Sequence, residues 1–300
     1  GGGTIEVQAN IYRNISGYAG GFVFADATTK TTYKFTNEQG KNYNYSFIGS
    51  GLDIGEKVKV EWALGTQKGD SLHKIGKGEL VITTQNNTSE NLGTLKIGEG
   101  KVTLDTTTKA VDNIYITSGR GELALVSGKA QALGASPTST NGVNSANSTT
   151  LANSYTLAQE STNNMGFYFG KGGGKFDLAG NSLVLNTIAA NDSKAIITNS
   201  NTGQAVDLEI QGFGYESNAK TNKKADTIIH ASIGDNANGA NLNLIYKGDK
   251  TPTNRHSERS EESTSNKDNL QSSVDSSLSV KAQALNLSKD LLLAHLAFES

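Results

Sequence analysis

Short strand-like segments recur along most of this chain at nearly even spacing, and turns rich in Gly and Asn separate them. Each segment alternates two or three apolar side chains with polar ones. The clearest segments cover residues 80–82, 95–97, 102–104, 114–116, 123–125, 176–178 and 183–185. No run of helical periodicity lies between these segments. The pattern predicts a β-solenoid, in which every turn of the chain adds one layer to a stack of strands.

The residue usage agrees with a chain of many strands and many tight corners. There are 34 Gly and only 2 Pro, and Gly tolerates the positive φ angles that such corners need. There is no Cys, which excludes disulfides and thiolate metal sites and is compatible with export. We therefore expect one elongated, all-β body that is held together without cross-links.

Charge and hydropathy narrow the classes of partner. The 27 basic and 29 acidic residues are interspersed and give a net charge of −2, so we expect no nucleic-acid partner and no binding to an anionic membrane surface. No apolar stretch approaches the roughly 20 residues of a membrane-spanning helix. The chain starts with Gly1 rather than Met and without a signal peptide, so we expect it to be an excerpt from a longer protein.

The pattern divides the chain into four regions. Residues 1–65 hold most of the aromatic side chains and are expected to form the first coils or a cap of the solenoid. Residues 66–249 are expected to form the regular parallel β-helix, which a polar loop insertion at 134–164 interrupts. A charged segment at 250–275 is predicted to be a disordered linker, and residues 276–300 are predicted to form an irregular C-terminal tail with a partly helical pattern.

Several motifs follow one another in the order found in one protein family. They are the run Gly-Asp-Ser-Leu-His-Lys-Ile-Gly-Lys-Gly-Glu-Leu at 69–80 and the segments 95–104, 116–120, 167–183 and 189–199. Over roughly residues 45–248, the chain resembles the passenger of serine protease autotransporters of the immunoglobulin A1 protease type, in the part that follows the protease domain. The resemblance implies a right-handed parallel β-helix, which is a single-stranded solenoid. The insertion and the segment after Asp249 depart from the family pattern.

The resemblance also implies a function and a location. The chain would be the non-catalytic β-helical stem of a monomeric passenger that is exported across the outer membrane and then secreted or displayed at the cell surface. Its expected partners are an upstream serine endopeptidase domain that acts on host proteins and a downstream outer-membrane β-barrel, both of the same polypeptide. The family's catalytic residues lie in the preceding domain, so no catalytic, cofactor-binding or metal-binding residue is assigned to this sequence, and no cofactor is expected.

One alternative is a binding module rather than a stem. An adhesin-like or toxin-like module would contact a host protein through the polar loop at 134–164 or through aromatic side chains. The candidate aromatic residues are Tyr12, Tyr18, Tyr43 and Tyr45.

A second alternative is a carbohydrate-active β-helix enzyme, in which paired acids carry out the chemistry. The candidate acids are Asp177, Asp192 and Asp207. Because nothing in the sequence brings these carboxylates together, solvated turns are the favoured interpretation.

Other chemical motifs also favour structural roles. The residues Gly69, Asp70 and Ser71 begin like the nucleophile motif of chymotrypsin-like proteases, but Leu72 and His73 follow them. A triad also needs an orienting Asp and an oxyanion hole, and the sequence gives no sign of either. Ser71 and His73 are therefore predicted to occupy a turn and a strand.

Two further signals for metal binding are weak. The run 172–177 only partly matches a calcium-binding nonapeptide, because Lys175 stands where that motif needs Gly and the unit occurs once, so a turn is predicted. The four histidines are dispersed, which predicts no zinc site. They are His73, His230, His256 and His295.

Overall fold

The computed structural model of this chain describes residues 1–9, 21–43, 51–65, 71–85, 93–111, 113–137, 154–157, 167–185, 188–210, 230–234, 242–246 and 279–282. Their regular structure is β-strand, apart from one short 3₁₀ helix at Ala130–Leu133. The strands, in chain order, are β1 (Gly2–Val7), β2 (Phe22–Phe24), β3 (Thr31–Asn37), β4 (Gly51–Ile54), β5 (Val58–Trp62), β6 (Ser71–Ile75), β7 (Glu79–Ile82), β8 (Thr94–Ile97), β9 (Gly100–Leu104), β10 (Asn113–Ile116), β11 (Gly121–Leu125), β12 (Ala135–Pro137), β13 (Ser154–Leu157), β14 (Phe167–Phe169), β15 (Gly174–Asp177), β16 (Ser182–Leu185), β17 (Ile188–Thr198), β18 (Val206–Ile210), β19 (His230–Ile233), β20 (Leu242–Tyr246) and β21 (Ser279–Ala282).

These strands stack into three faces. The first face has the order β1, β3, β5, β7, β9, β11, β15 and β17, and the second has the order β2, β4, β6, β8, β10, β14 and β17. The third face has the order β12, β13, β16, β18, β20 and β21. Neighbouring strands are parallel, except in the β12–β13 and β20–β21 pairs. Each coil therefore passes from the second face to the first, and the later coils continue to the third.

The repeat of this stack is visible in the register of the first face. Val60 lies beside Leu80, Leu80 beside Val102, and Val102 beside Leu123, so register partners are 20 to 22 residues apart. All four side chains are fully buried. Because adjacent strands are about 4.8 Å apart, they form a continuous apolar row along the axis of the stack.

Alternation within each strand explains why one side of every strand faces this core. In β5, Val58, Val60 and Trp62 are buried, whereas Lys59 and Glu61 are only half-buried. Complete burial of one such apolar side chain stabilises the fold by about 1.5–3 kcal/mol. Stacking therefore gives each coil a buried face that a single coil would lack.

The first coils belong to the same core as the rest. Phe35 packs against Trp62 with ring centroids 4.8 Å apart, and Phe22 lies 5.3 Å from Phe35. Val23, on the opposite side of β2, is 78% exposed. The rings of Phe22, Phe35 and Trp62 thus lie in the interior of the stack.

The chain between β11 and β15 contains an insertion in addition to one regular coil, and the register of these two strands is kept. Leu123 lies beside Phe176 although 53 residues separate them in the chain. Within the insertion predicted at 134–164, β12 and β13 pair with each other, and β13 joins β16 on the third face. This part of the insertion is strand rather than loop, because its backbone extends the third face; the rest of it lies outside the described residues.

The sequence prediction of an all-β, right-handed parallel β-helix is confirmed by the strand order and by the likeness to a solved structure reported below. In the predicted tail, β21 pairs antiparallel with β20. The predicted linker at 250–275 lies outside the described residues. The region boundaries taken from the sequence remain predictions.

Candidate functional site

Ser71 and His73 lie two residues apart on the outer side of β6, where each is half-buried. Thr94 is the register partner of Ser71, and His73 lies between Gly51 and Lys96. These are positions of a regular outer strand surface, set by the pairing of β6 with its neighbours. Of the turn-and-strand role that the sequence predicts for these residues, the structure shows the strand part, because both lie in β6.

Two of the three candidate acids hold corners of the coil at opposite ends of one strand. The Asp177 carboxylate accepts hydrogen bonds from the backbone N–H groups of Ala179 and Ser200, both at 2.9 Å. The Asp192 carboxylate accepts hydrogen bonds from the N–H groups of Gly172 and Lys194 at 2.8 and 2.9 Å. These backbone hydrogen bonds hold the pKa of Asp192 below its usual value.

The third acid lies on another face, so the three carboxylates do not converge. Asp177 ends β15, whereas Asp192 lies beside the turn that precedes the same strand, about four strand residues or 13 Å away. Asp207 is in β18 and accepts a hydrogen bond from the Asn243 side-chain amide at 2.8 Å. The arrangement lacks the carboxylate pair, about 5–9 Å apart, that glycoside hydrolysis needs.

The run 172–177 begins with a glycine corner and continues as β15 from Gly174 to Asp177. Gly172, Gly173 and Gly174 all have positive φ, and a Cβ on Gly173 would lie 2.3 Å from the carbonyl carbon of Lys194. The glycines therefore serve close packing of one coil on the next, as the predicted turn requires. Across the described ranges, no three His, Cys, Asp or Glu side chains form a group suited to a metal ion.

The other predicted site residues are only partly within the described structure. Of the dispersed histidines, His230 lies in β19, and His256 and His295 fall outside the described residues. Of the candidate binding tyrosines, only Tyr43 is described. It is half-buried against the core, and its hydroxyl donates to the Glu38 carboxylate at 2.9 Å, which raises the pKa of Tyr43.

A charged side chain inside the stack was not expected from the sequence. Lys74 is fully buried, in register with Leu52 on one side and Ile97 on the other. Its ammonium donates to the backbone carbonyls of Ile75, Gly76 and Glu99 at 3.0, 2.6 and 2.9 Å. The sequence did contain a signal for this burial, because Lys74 lies two residues after the inward Leu72 and so falls on the same side of β6.

Burial determines the acid–base behaviour of Lys74. Loss of hydration lowers the pKa of Lys74 from 10.5 to about 8, although the nearby carboxylates of Glu99 and Asp53 act in the opposite direction. The carbonyls that bind the ammonium belong to two successive corners. Lys74 therefore ties the corner after β6 to the corner of the next coil.

Polar side chains line other interior corners in the same manner. The buried Thr84 hydroxyl donates to the carbonyl of Leu64, and the buried Thr106 hydroxyl donates to the carbonyl of Thr84. Asn181, also fully buried, donates its amide to the carbonyls of Val126 and Leu178. These hydrogen bonds satisfy backbone groups where the chain leaves its strands.

Charge alternates along the outer side of the first face. In register order, the outward residues are Lys59, Glu79, Lys101, Glu122 and Lys175. The Glu122 carboxylate lies 3.7 Å from the Lys101 ammonium and 4.0 Å from the Lys175 ammonium. Opposite charges in direct register favour this pairing of strands over a shifted one.

A groove of about 460 Å³ opens beside this row, at the corners that lead into β3, β5 and β7. It carries excess positive charge. Its lysines are Lys30, Lys57, Lys59, Lys77 and Lys101, and its one acid is Glu79. The spacing of these lysines in the sequence follows no short motif, so only the stacking of coils brings them together.

The second face has an outward aromatic pair. Tyr115 and Tyr168 are register partners on β10 and β14, and their rings stack with centroids 4.6 Å apart and planes inclined by 18°. Both residues are half-buried. The pair adds apolar contact between coils on the outer surface.

Comparisons with known proteins identify relatives of the chain. No protein-family model matches it. The chain is 32% identical over 259 residues to the adhesion and penetration protein autotransporter of Haemophilus influenzae, covering 82% of this chain and 15% of that protein. It is 32% identical over 255 residues to the serine protease EspP of Escherichia coli, covering 85% of this chain and 15% of that protein. The chain thus spans about 15% of the length of these curated relatives.

A third relative and one solved structure agree with these matches. The chain is 33% identical over 217 residues to the IgA-specific serine endopeptidase autotransporter of Neisseria gonorrhoeae, covering 70% of this chain and 11% of that protein. The crystal structure of the Haemophilus influenzae Hap adhesin superposes with a TM-score of 0.50 over 76% of this chain and 23% of that chain, at 23% identity. This structural likeness shows a shared fold. In the described residues, no helix has the length and apolar character needed to cross a membrane.

Proposed function

Because the chain belongs to the β-helical passenger region of serine protease autotransporters, we propose that it is the non-catalytic stem of such a passenger. The parent chain carries a serine endopeptidase domain upstream, which acts on host proteins, and an outer-membrane β-barrel downstream. The passenger is exported across the outer membrane and is secreted or displayed at the cell surface, in keeping with its autotransporter relatives.

One observation carries the proposal. Apolar rows continue through the described coils from Val7 to Leu244 as a single core, while the candidate acids Asp177, Asp192 and Asp207 lie apart. Such a body suits a stem, because each coil needs only the preceding coil to bury its apolar row, and folding can propagate coil by coil outside the cell.

A single strand offers a matched test of this role in the full parent chain. Leu95 points into the core and is fully buried, and the next residue, Lys96, points outward. Leu95→Asp places a carboxylate in the apolar row, which costs several kcal/mol, whereas Lys96→Asp introduces the same side chain on the surface. We expect Leu95→Asp to reduce antibody-detected passenger at the cell surface several-fold, and Lys96→Asp to leave it unchanged. Equal delivery of both variants would contradict a stem that folds by stacking.

A second measurement addresses the non-catalytic part of the proposal. The full parent chain is labelled with a fluorophosphonate, which reacts with activated serines, and the modified peptide is located by mass spectrometry. We expect the label upstream of residue 1 of this chain. Label on Ser71 would show that the nucleophile lies in the stem instead.

A binding module is the second candidate function, because one relative is named an adhesion and penetration protein. The insertion at 134–164 would then contact a host protein. Deletion of residues 138–153, which join β12 to β13, tests this idea in the full chain by cell-binding assay, with surface delivery measured in parallel. A loss of binding at normal delivery supports the module, and unchanged binding leaves the stem as the function.

A further inference from the structure

Three lysines occupy equivalent corners of three successive coils. Thr31 pairs with Val58, which places the preceding residues Lys30 and Lys57 side by side. Lys57 and Lys77 each lie two residues before the paired residues Lys59 and Glu79, at the corners that lead into β5 and β7, and both line the groove. Adjacent coils are about 4.8 Å apart, so Lys30, Lys57 and Lys77 form a column of like charges parallel to the axis. We call these three residues the lysine column.

This column is unfavourable for folding. Like charges in direct register destabilise paired strands, and the neighbouring outward row avoids that cost by alternating Lys and Glu. Lys57 also has a φ of 63°, which is a left-handed conformation that costs a non-glycine residue about 1 kcal/mol. Folding alone would favour Gly or Asn at position 57.

The positive charge of the column is only weakly neutralised. Lys77 lies 3.8 Å from the Glu56 carboxylate, but both side chains are more than half exposed, at 68% and 59%. The Lys57 ammonium donates to the neutral carbonyl of Thr28 at 3.3 Å. Lys30 is exposed and forms no ion pair with the residues that the structure describes. An anion that approaches the groove therefore meets available ammonium groups.

From this geometry we propose that the groove binds a sulfated polysaccharide that lies along the axis of the β-helix. The groove follows the stacking direction, so an extended polymer contacts the lysine column and Lys101 at the same time. Its lining has no aromatic side chain on which nucleic-acid bases would stack. Repeated sulfate groups complement repeated ammonium groups, and release of counterions drives the association. This binding is independent of the stem function, which needs only the interior of the stack.

The test compares two triple variants of the full 300-residue chain that lose the same charge. The groove variant is Lys30→Gln, Lys57→Asn and Lys77→Gln. The control variant is Lys96→Gln, Lys171→Gln and Lys194→Gln, whose lysines lie away from the groove. Affinity for fluorescent heparin is measured at several salt concentrations.

We expect the groove variant to bind heparin at least about tenfold more weakly and with a smaller salt dependence, and the control variant to change less than about twofold. Fully desulfated heparin should not compete. Equal weakening of heparin binding in both variants would show that net charge alone drives the binding, and it would overturn the proposal. Tighter binding of single-stranded DNA than of heparin would overturn the assignment to a polysaccharide.

Lys57→Asn alone separates binding from folding. Asn tolerates the left-handed conformation, so the urea midpoint of unfolding should stay unchanged or rise while heparin binding weakens. A lower midpoint would show that Lys57 serves the fold rather than a ligand, and it would contradict the proposal.

Discussion

Lys74 shows how one interior charge makes the stability of the stack depend on pH. Its ammonium is fully buried and is held by three carbonyls of two successive corners. Burial lowers the pKa of Lys74 from 10.5 to about 8. Between these values the unfolded chain binds the proton more tightly than the folded chain does. Raising the pH through this window therefore stabilises the fold, and the full desolvation penalty is present below pH 8.

The variant Lys74→Met tests this dependence. The pKa difference corresponds to about 3 kcal/mol. The free energy of unfolding of the unsubstituted chain should therefore rise by a value of this order between about pH 8 and pH 10.5. In Lys74→Met that rise should disappear, because no group remains to titrate at this position. Urea unfolding at several pH values measures both slopes. An equal rise in the two proteins would assign the effect to other groups.

Asn181 should contribute through hydrogen bonds rather than through charge. It is fully buried, donates to the carbonyls of Val126 and Leu178, and accepts from the N–H of Gly128 at 3.0 Å. Asn181→Leu keeps the volume but leaves these backbone groups without a partner, so we expect a loss of about 2–4 kcal/mol by urea unfolding. The outward Asn113→Ala should change stability by less than about 0.5 kcal/mol. Similar losses at both positions would argue against the corner role.

These two residues mark a limit of sequence reasoning at this scale. The alternation of β6 places Lys74 inward, but a pattern cannot show that three carbonyls stand ready to bind its ammonium. Asn181 follows the turn at Ala179 and Gly180, where a polar residue is ordinary, and two of its buried hydrogen bonds involve residues more than 50 positions away. Both roles arise only when coils stack.

At the scale of strands, the outward charges help to fix the register of the first face. Lys101, Glu122 and Lys175 follow one another on β9, β11 and β15. The inward apolar rows fix which side of a strand faces the core, but they tolerate a shift of two residues. The alternating charges penalise such a shift, because it breaks the pairing of opposite signs.

Glu122→Lys puts three lysines in direct register and should destabilise the fold by about 1 kcal/mol at low salt. The loss should shrink at about 1 M NaCl, where the Debye length falls to about 3 Å. Glu122→Gln, which removes the attraction without adding repulsion, should lose less and respond less to salt. Thermal unfolding at both salt concentrations measures the difference. A loss in Glu122→Lys that salt does not alter would indicate a packing defect instead.

Alternation and turns predicted most of the strands but not all of their partners. The segments 95–97, 102–104 and 114–116 are strands, because two inward apolar residues and a Gly or Asn turn suffice to define one. The sequence showed that the strand pattern resumes after the insertion at 134–164, but alternation alone could not show that β15 pairs with β11. For the same reason the sequence could not show the lysine column, whose members come from three separate coils.

For the molecule as a whole, stability should vary along the axis. Interior strands such as β7 and β9 have a partner on each side, whereas β1 and β2 end the described order of strands and each have one. Five of the six residues of β1 are exposed. Repeat structures of this kind open from their ends, because each coil depends only on its neighbours.

Hydrogen exchange with mass spectrometry tests this gradient. In the 300-residue chain by itself, we expect backbone amides of β1 and β2 to exchange at least about tenfold faster than those of β7 and β9 under native conditions. Leu95→Asp, which interrupts the middle of the stack, should extend fast exchange to both of these interior strands. Uniform exchange along the axis would indicate one cooperative unit instead of a stack of coupled coils.

The unbroken register between Leu123 and Phe176 has a consequence for how such a molecule diversifies. The chain between them holds one regular coil, to which β14 belongs, and in addition the insertion with β12 and β13, yet β11 and β15 pair as the strands of uninterrupted coils do. Selection can therefore change the length of the segment that joins β12 to β13 while the register of the first face is kept. An experimenter can insert an epitope or a small enzyme between these two strands, and the solenoid would carry it on its side.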